Sequence, residues 1–419
     1  MQAPMPTGHE PDILAMHQGL VDYLKRSGHM QDARVEAAFR AVPRHLFLPG
    51  VALDEVYRDQ AIATRSINGQ VVSSSSQPTI MAIMLEQLQL QPGHRVLEIG
   101  SGTGYNAALM AHIVGERGEV VTLDIDEDIV EAAREHLASA GFGNVHVVCA
   151  DGGLGYPDAA PYDRIILTVN AADITPAWRT QLKPDGRLLL PLVLRGPQAS
   201  IAFAPIEDHL ESLSVRACGF VGLRGAFAEA ETVVQLSPET GQLVLRLGEA
   251  RSVAAQAVYD LLCSPVQDLP LETSVEPQGL FFGLGFWLAL HEPLFCSLSA
   301  YGPLAEQGII PNLINFPGKT VTTLGLLSEH ALSVLMRNPV LTPADVRPNA
   351  TSFKLYLRSF GSADLLAQQL KQQITAWDEA GRPGEQQLHV RAYSLDAASN
   401  LNASDTVLSK RWTKFVFSW

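Results

Sequence analysis

The sequence predicts an α/β fold: an open, doubly wound parallel sheet in the N-terminal half, followed by a second, smaller-featured α+β domain. Three observations predict it. Strand and helix patterns alternate from residue 95 to about 193, a glycine-rich turn joins the first strand to the first helix, and the alternation stops after about residue 228. At 419 residues the chain exceeds one ordinary domain, so units of 1–228 and 229–419 are expected.

Residues 10–45 read as helical, with Val35, Ala38, Phe39 and Val42 at helical spacing and Pro43 as the stop. A loop-rich stretch, 48–78, ends in the polar run SSSSQP. RVLEIG then reads as a buried strand, YNAALMAHIVG as a helix, EVVTLDI as a strand and DEDIVEAAREHLASAG as a helix. VHVVCA, YDRIILTV and RLLLPLVL complete the strands. Such alternation implies parallel pairing and helices on both faces. Beyond residue 228, TVVQLSPETGQLVLRLG reads as a hairpin around Glu239-Thr240-Gly241, and VAAQAVYDLL as a helix. Ser362 is the expected N-cap of an amphipathic helix carrying Leu366, Leu370, Ile374 and Trp377. LHVRAYSL and KFVFSW read as closing strands. GLFFGLGFWLAL reads as core, with a peptide groove or a dimer contact as the functional alternative.

Apolar residues make up 47% of the chain and charged residues 18%, enough for packed cores. Lys and Arg total 30 against 44 Asp and Glu, a formal charge of −14, which argues against a nucleic-acid partner. The four cysteines lie 33 to 69 residues apart with no CxxC, so neither a metal site nor a disulfide framework is expected. The N-terminus lacks a signal-peptide pattern, and the most apolar run is twelve residues, too short to cross a bilayer. A cytoplasmic protein without a membrane partner is expected.

The sharpest local signal is VLEIGSGTGYNAA, where Gly100, Gly102 and Gly104 follow Glu98 at every second position. Glycines let the backbone turn tightly and approach a ligand closely. Asp124, twenty residues past Gly104, ends the next strand where a carboxylate can meet a ribose hydroxyl pair. Asp151 and Gly152 close the strand after it, with Asp151 expected to meet an adenine amino group. Tyr105 stands where a dinucleotide motif would carry its third glycine, so the spacing suits S-adenosylmethionine better than NAD. Tyr105 is expected to pack over the turn, and a bare strand–helix turn is the alternative to a site. Gly318 to Thr320 is not a phosphate loop, since Leu313 replaces its first glycine, and neither HExxH nor GxSxG occurs.

AVPRHLF (41–47), SSQP (75–78), LEIGSGTGYNAALMA, DGGLGYPDAAPYDRIILT and QLKPDGRLLLP together resemble the protein-L-isoaspartate O-methyltransferase family over roughly residues 15–228. The resemblance implies a Rossmann-like class I methyltransferase sheet. It implies S-adenosylmethionine as cofactor and methyl transfer to an isoaspartyl carboxylate, giving an ester that cyclises to a succinimide. It implies Ser76 beside the transferred methyl and places Ser75, Gln77, Val221, Leu223 and Arg224 along the substrate. Glu98, Gly100, Ser101, Gly102, Gly104, Asp124, Ile125, Asp151 and Gly152 match the cofactor contacts. The chain departs from the family in Ser75 before Ser76, in Val221-Gly222-Leu223 where Val-Pro-Leu is common, and in roughly 190 further residues. Long members resemble the methyltransferases of lanthipeptides and other ribosomally made peptides, which methylate an ordinary aspartate in a dedicated precursor. The leading expectation is therefore an aspartate methyltransferase of such a peptide natural product pathway, passing through an aspartimide. Generic isoaspartate repair is the alternative, and a non-catalytic binding module the second. Expected partners are a peptide or protein carrying aspartate or isoaspartate, and a possible homodimer.

A substrate carboxylate, with a pKa of about 4 in water, is already ionised at pH 7, so no protein base is demanded. Ser76 would orient it through a neutral hydroxyl. A flexible linker or a helix cap is the bland reading of Ser73–Ser76. Arg224 could pair with a peptide carboxylate, or lie on the surface. Asp126 reads as a cap for the following helix. His136 and His146 read as packing or surface residues.

Overall fold

A computed structural model describes residues 12–67, 70–228, 233–237, 241–249, 251–316, 319–337, 352–399 and 401–419. The strands expected from sequence in the first half all appear, at Arg95–Ile99, Glu119–Asp124, His146–Cys149, Tyr162–Leu167 and Leu182–Val193. All five run parallel, with Arg95–Ile99 between Tyr162–Leu167 and Glu119–Asp124. Their interiors are continuous apolar runs such as Val96-Leu97 and Val120-Val121, because helices cover both faces.

Helices Tyr105–Val114 and Pro78–Leu88 pack with the N-terminal helices around Phe39, Leu109 and Met110 on one face. Trp178 and Phe203 anchor the core on the other. The order of the ten-stranded sheet is Thr406–Ser409, Thr413–Ser418, His389–Ser394, His209–Cys218, Gln198–Ile206, Leu182–Val193, Tyr162–Leu167, Arg95–Ile99, Glu119–Asp124, His146–Cys149.

Four expectations are corrected. The N-terminal segment is two helices, Ile13–Arg26 and Ala33–Ala41, separated where Gly28 takes φ +78°. The stretch 48–78 contains an antiparallel hairpin, Ile62–Ile67 with Gln70–Ser75. Ser73–Ser75 are therefore strand, with Ser73 and Ser75 buried, and Ser76 follows directly after it; the run is neither a linker nor a cap. The C-terminal helix spans Asp364–Glu379 with Ala363, not Ser362, at its N-cap. Finally, the chain after 228 does not form one separate layer. Residues 233–361 build a second, antiparallel sheet of eight strands, but His389–Ser394 returns to pair with His209–Cys218 in the first. A strand's own residues carry no signal of which sheet it will join.

The strands of the expected hairpin, Val233–Gln235 and Leu243–Leu247, pair antiparallel, while Glu239 and Thr240 lie outside the described residues. So does Gly318. GLFFGLGFWLAL is helical and mostly buried against Trp377 and the second sheet. Phe282 is its exception, at 39% exposed.

Candidate active site

The site forms where parallel strands end and leave backbone N–H groups unpaired. After Ile99 the chain turns sharply, with Gly100, Gly102 and Gly104 at φ +106°, +50° and +84°. Gly100 N–H and Ser101 N–H both donate to Leu123 O, at 2.8 and 2.9 Å, which folds the turn over the neighbouring strand. A Cβ on Gly100 would stand 2.6 Å from Thr168 Oγ1, so this position has no room for a side chain.

Asp124 sits at the tip of the next strand. Its carboxylate accepts from Gly102 N–H at 3.2 Å and Ile125 N–H at 2.9 Å. Burial holds its pKa above the usual carboxylate range despite those donors. Beneath the turn Glu98 is fully buried. Asn106 Nδ2 donates to it at 2.7 Å, and Thr122 Oγ1 lies 2.6 Å from Oε2 and 2.9 Å from Ser101 Oγ. Desolvation pushes the Glu98 carboxyl up to about 7.

A single cavity is lined by Gly100, Ser101, Gly102, Asp124, Ile125 and Gly152 on one side. Ser75, Ser76, Val221, Leu223 and Arg224 line the other. Tyr105, packed against Phe39 and Phe47, closes its base. The structure thus brings together eleven of the residues selected from sequence. Glu98 and Gly104 lie behind the turn, where they shape it: Gly104 begins helix Tyr105–Val114 and packs on Leu137.

Three assignments change. Asp151 does not line the cavity. Its oxygens accept from Gly153 N–H at 3.0 Å and Ala226 N–H at 2.8 Å, tying down the 225–228 segment, while its neighbours Ala150 and Gly152 line the cavity. Arg224 lines the cavity, but both its Nη atoms engage Asp126, so it is not held ready for a peptide carboxylate. Asp126 stands at the N-cap of helix Glu127–Ser139 without capping it, since its carboxylate serves Arg224 and, at 2.6 Å, Arg65. Those ion pairs hold its pKa below the usual carboxylate range. Arg65 is on the hairpin and Arg224 on the segment after residue 218, so one carboxylate clamps both covers of the cavity.

Gln77 lines not this cavity but the larger concavity beside it, and its Nε2 donates to Asp59 Oδ2 at 2.9 Å. Asp59 also accepts from Thr79 N–H and Oγ1, at 2.8 and 2.7 Å, fixing the turn into helix Pro78–Leu88. On the other side of that turn is Arg44, which is completely buried. It donates to the carbonyls of Val56, Arg58, Gln60, Ser75 and Ser76 and to Ser75 Oγ, at 2.8 to 3.3 Å. Among the described residues it forms no ion pair. The Ser76 hydroxyl, in contrast, makes no hydrogen bond to another described residue. The segment 220–223 is not a regular strand. Asn170 holds it, its N–H donating to Val221 O and its O accepting from Leu223 N–H, both at 2.8 Å.

Arg44 stands inside the AVPRHLF motif without any local sign of its role, and Asp59, Arg65 and Asn170 carry none either. Their partners are far along the chain, so no local pattern marks them. His136 packs against Thr103 O and Phe47, as expected of a packing residue.

The residues fit S-adenosylmethionine. The crowded glycine cradle admits backbone approach, and the carboxylate of Asp124 stands at a strand tip beside it.

Comparison with known proteins gives the following. A family model described as Protein-L-isoaspartate(D-aspartate) O-methyltransferase matches residues 15–227. A protein-L-isoaspartate O-methyltransferase of Methanopyrus kandleri is 37% identical over 217 residues, covering 51% of this chain and 94% of that relative. One of Thermotoga maritima is 40% identical over 189 residues, covering 45% of this chain and 59% of that relative. A solved structure titled protein-L-isoaspartate O-methyltransferase is 24% identical, with a TM-score of 0.49, covering 90% of this chain and 96% of that one.

Proposed function

Since the chain belongs to the protein-L-isoaspartate O-methyltransferase family, we propose that it methylates the free carboxylate of isoaspartyl residues in proteins and peptides generally, using S-adenosylmethionine. The observation that carries this is the shared cavity, where the glycine turn and Asp124 face Ser75, Ser76 and the 221–223 segment. Gly100, Gly102, Asp124 and Gly152 would hold the cofactor, which supplies an electrophilic methyl on sulfur. Everything else falls to the chain. Ser76 Oγ donates a hydrogen bond that fixes the carboxylate without quenching it. Arg44 fixes Ser76 by holding the carbonyls of Ser75 and Ser76. Phe220, Val221 and Leu223 exclude water from the attacking oxygen. Alignment of this kind is worth effective molarities of about 10⁵–10⁸ M in well-oriented systems, so no side-chain base is required.

The expected dedication to a lanthipeptide-type precursor gains nothing from the relatives, which are described as protein-L-isoaspartate methyltransferases. General isoaspartate methylation replaces it as the main reading. Among the described residues no helix is long and apolar enough to cross a membrane; a cytoplasmic location belongs to the same proposal.

The test uses isotopically labelled methyl donor and three peptides: one isoaspartyl, its aspartyl twin, and a cyclised precursor with ordinary aspartate. A base-labile label on the isoaspartyl peptide alone is expected. Preferential labelling of the cyclised precursor would overturn the general reading, and label on none would overturn the activity.

A further inference from the structure

We infer that the C-terminal unit supplies the far wall of the substrate groove, so that the protein reads an extended polypeptide beyond the isoaspartyl residue itself. The inference rests on the proposed activity and concerns how its substrate is held.

A second concavity opens beside the cofactor cavity and shares Ser74, Ser76, Phe220 and Val221 with it. It encloses about 1310 Å³. Small-molecule pockets run to roughly 300–1,000 Å³, so this space exceeds what one amino-acid side chain and its neighbours demand. One wall is helix Pro78–Leu88, with Ile80 and Ile83, and another is strand His209–Cys218, with Leu213 and Arg216. The last wall is Phe282, Glu385 and Gln386, all from the extension.

This wall is rigidly placed. Trp377 Nε1–H donates to Pro383 O at 3.0 Å, and Gly283 lies against the Trp377 ring, where an added Cβ would come within 3.0 Å. Gly384 N–H donates to Gln387 Oε1 at 2.9 Å. The strand that follows, His389–Ser394, pairs with His209–Cys218. The opposite wall is also fixed, by Gln87 Nε2–H donating to Ser200 O at 3.1 Å and to Ser214 Oγ at 3.0 Å.

The chemistry of the lining points to a polypeptide. Phe282 and Leu213 are 39% and 50% exposed, large apolar side chains on a surface otherwise rich in amides and hydroxyls. Glu385 is largely buried, and desolvation lifts its carboxyl above the usual carboxylate range against the opposing pull of its own backbone N–H and of Arg216. Apolar pads interleaved with amides suit an extended chain, whose peptide groups need hydrogen bonds and whose side chains need pockets. The occupant is therefore an unfolded segment carrying isoaspartate, with an apolar side chain some residues away resting on Phe282 and Leu213.

Steady-state kinetics on synthetic isoaspartyl peptides tests this. One is about five residues long, and the others are extended on either side to about fifteen residues with apolar side chains, long enough to run down the groove at about 3.3 Å per residue. For the natural chain, kcat/KM for an extended peptide should exceed that for the short one by about tenfold, the worth of burying one large apolar side chain. Phe282→Ser and Leu213→Ser, both at exposed positions, should bring the ratio within about twofold of unity while leaving kcat and KM for the short peptide unchanged. Equal kcat/KM at all lengths, or variants that keep the full preference, would overturn the inference. Loss of turnover on the short peptide would strike the proposed activity instead.

Discussion

The two sheets of this protein are written in different ways. In the first, the parallel strands are buried on both faces, and their apolar runs end together at one edge where glycines and acids collect. In the second, antiparallel strands alternate: Phe353–Gly361 switches between buried and more open positions, and Val266–Val275 at the sheet edge is mostly exposed. A parallel edge leaves backbone N–H groups and strand-tip carboxylates facing one cavity, so a small charged ligand has donors ready. An antiparallel sheet uses its hydrogen bonds internally and offers side chains and surface. That contrast accounts for the glycine turn and Asp124 collecting at the first sheet, while the extension meets the neighbouring concavity not through the strands of the second sheet but through Phe282, Glu385 and Gln386 on short helical segments.

Substitutions can break this division. The largest effect is expected at Gly100→Ala, where a Cβ would meet Thr168 Oγ1 and φ is +106°. Methyl transfer should fall by about 100-fold or more, since misplacement by about an ångström costs that much, and a fold-preserving loss is read by circular dichroism beside the rate. An unchanged rate would separate the glycine turn from catalysis.

Arg44→Gln should follow, lowering unfolding stability by about 3 kcal/mol, because several buried carbonyls lose their donor. Arg246→Gln, at an exposed position in the second sheet, should change it by less than about 0.5 kcal/mol. Equal denaturation midpoints for both variants would remove the special status of Arg44.

Glu98 sharpens the comparison through pH. Its carboxyl is raised to about 7 in the folded protein, well above the unfolded value. The folded state therefore keeps its proton more tightly. The stabilisation is complete at acid pH below the unfolded value and is lost as pH rises through about 7. Thermal unfolding of the cofactor-free protein should show a decline over that window on the order of 3 kcal/mol, and Glu98→Gln should flatten it. A slope that persists in the variant would point to the other carboxylates that burial raises, Asp124, Asp173, Glu292 and Glu385.

Ser76→Ala should be the mildest, cutting kcat about tenfold, as one hydrogen bond is worth, with cofactor affinity unchanged. Full turnover would take the hydroxyl out of the mechanism.

Much of the first region was legible. Gly100, Gly102 and Asp124 follow one another within a few dozen residues, and their spacing is imposed by one strand–turn–helix–strand unit. Ser76 was legible through the motif around it, but the buried strand containing Ser73 and Ser75 was not, since polar residues in a run imitate a loop. The clamp of Asp126 by Arg224 spans 98 residues of sequence, and neither residue's neighbours announce it; each was instead read by its most local role, as a cap or a substrate partner. The return of His389–Ser394 to the first sheet was equally silent, because pairing partners are chosen by tertiary packing. It also bears on design: cutting the chain after 228 would strip His209–Cys218 of one of its two partner strands, so point substitutions such as Phe282→Ser report on the extension more cleanly than deletion.

Calorimetric titration of the purified chain with S-adenosylhomocysteine, the demethylated product, tests the central claim most directly. One site per chain with micromolar affinity, weakened at least tenfold by Asp124→Asn through the lost charged acceptor, is the predicted result. Absence of binding heat, or equal affinity in both proteins, would contradict a cofactor seated on the glycine turn.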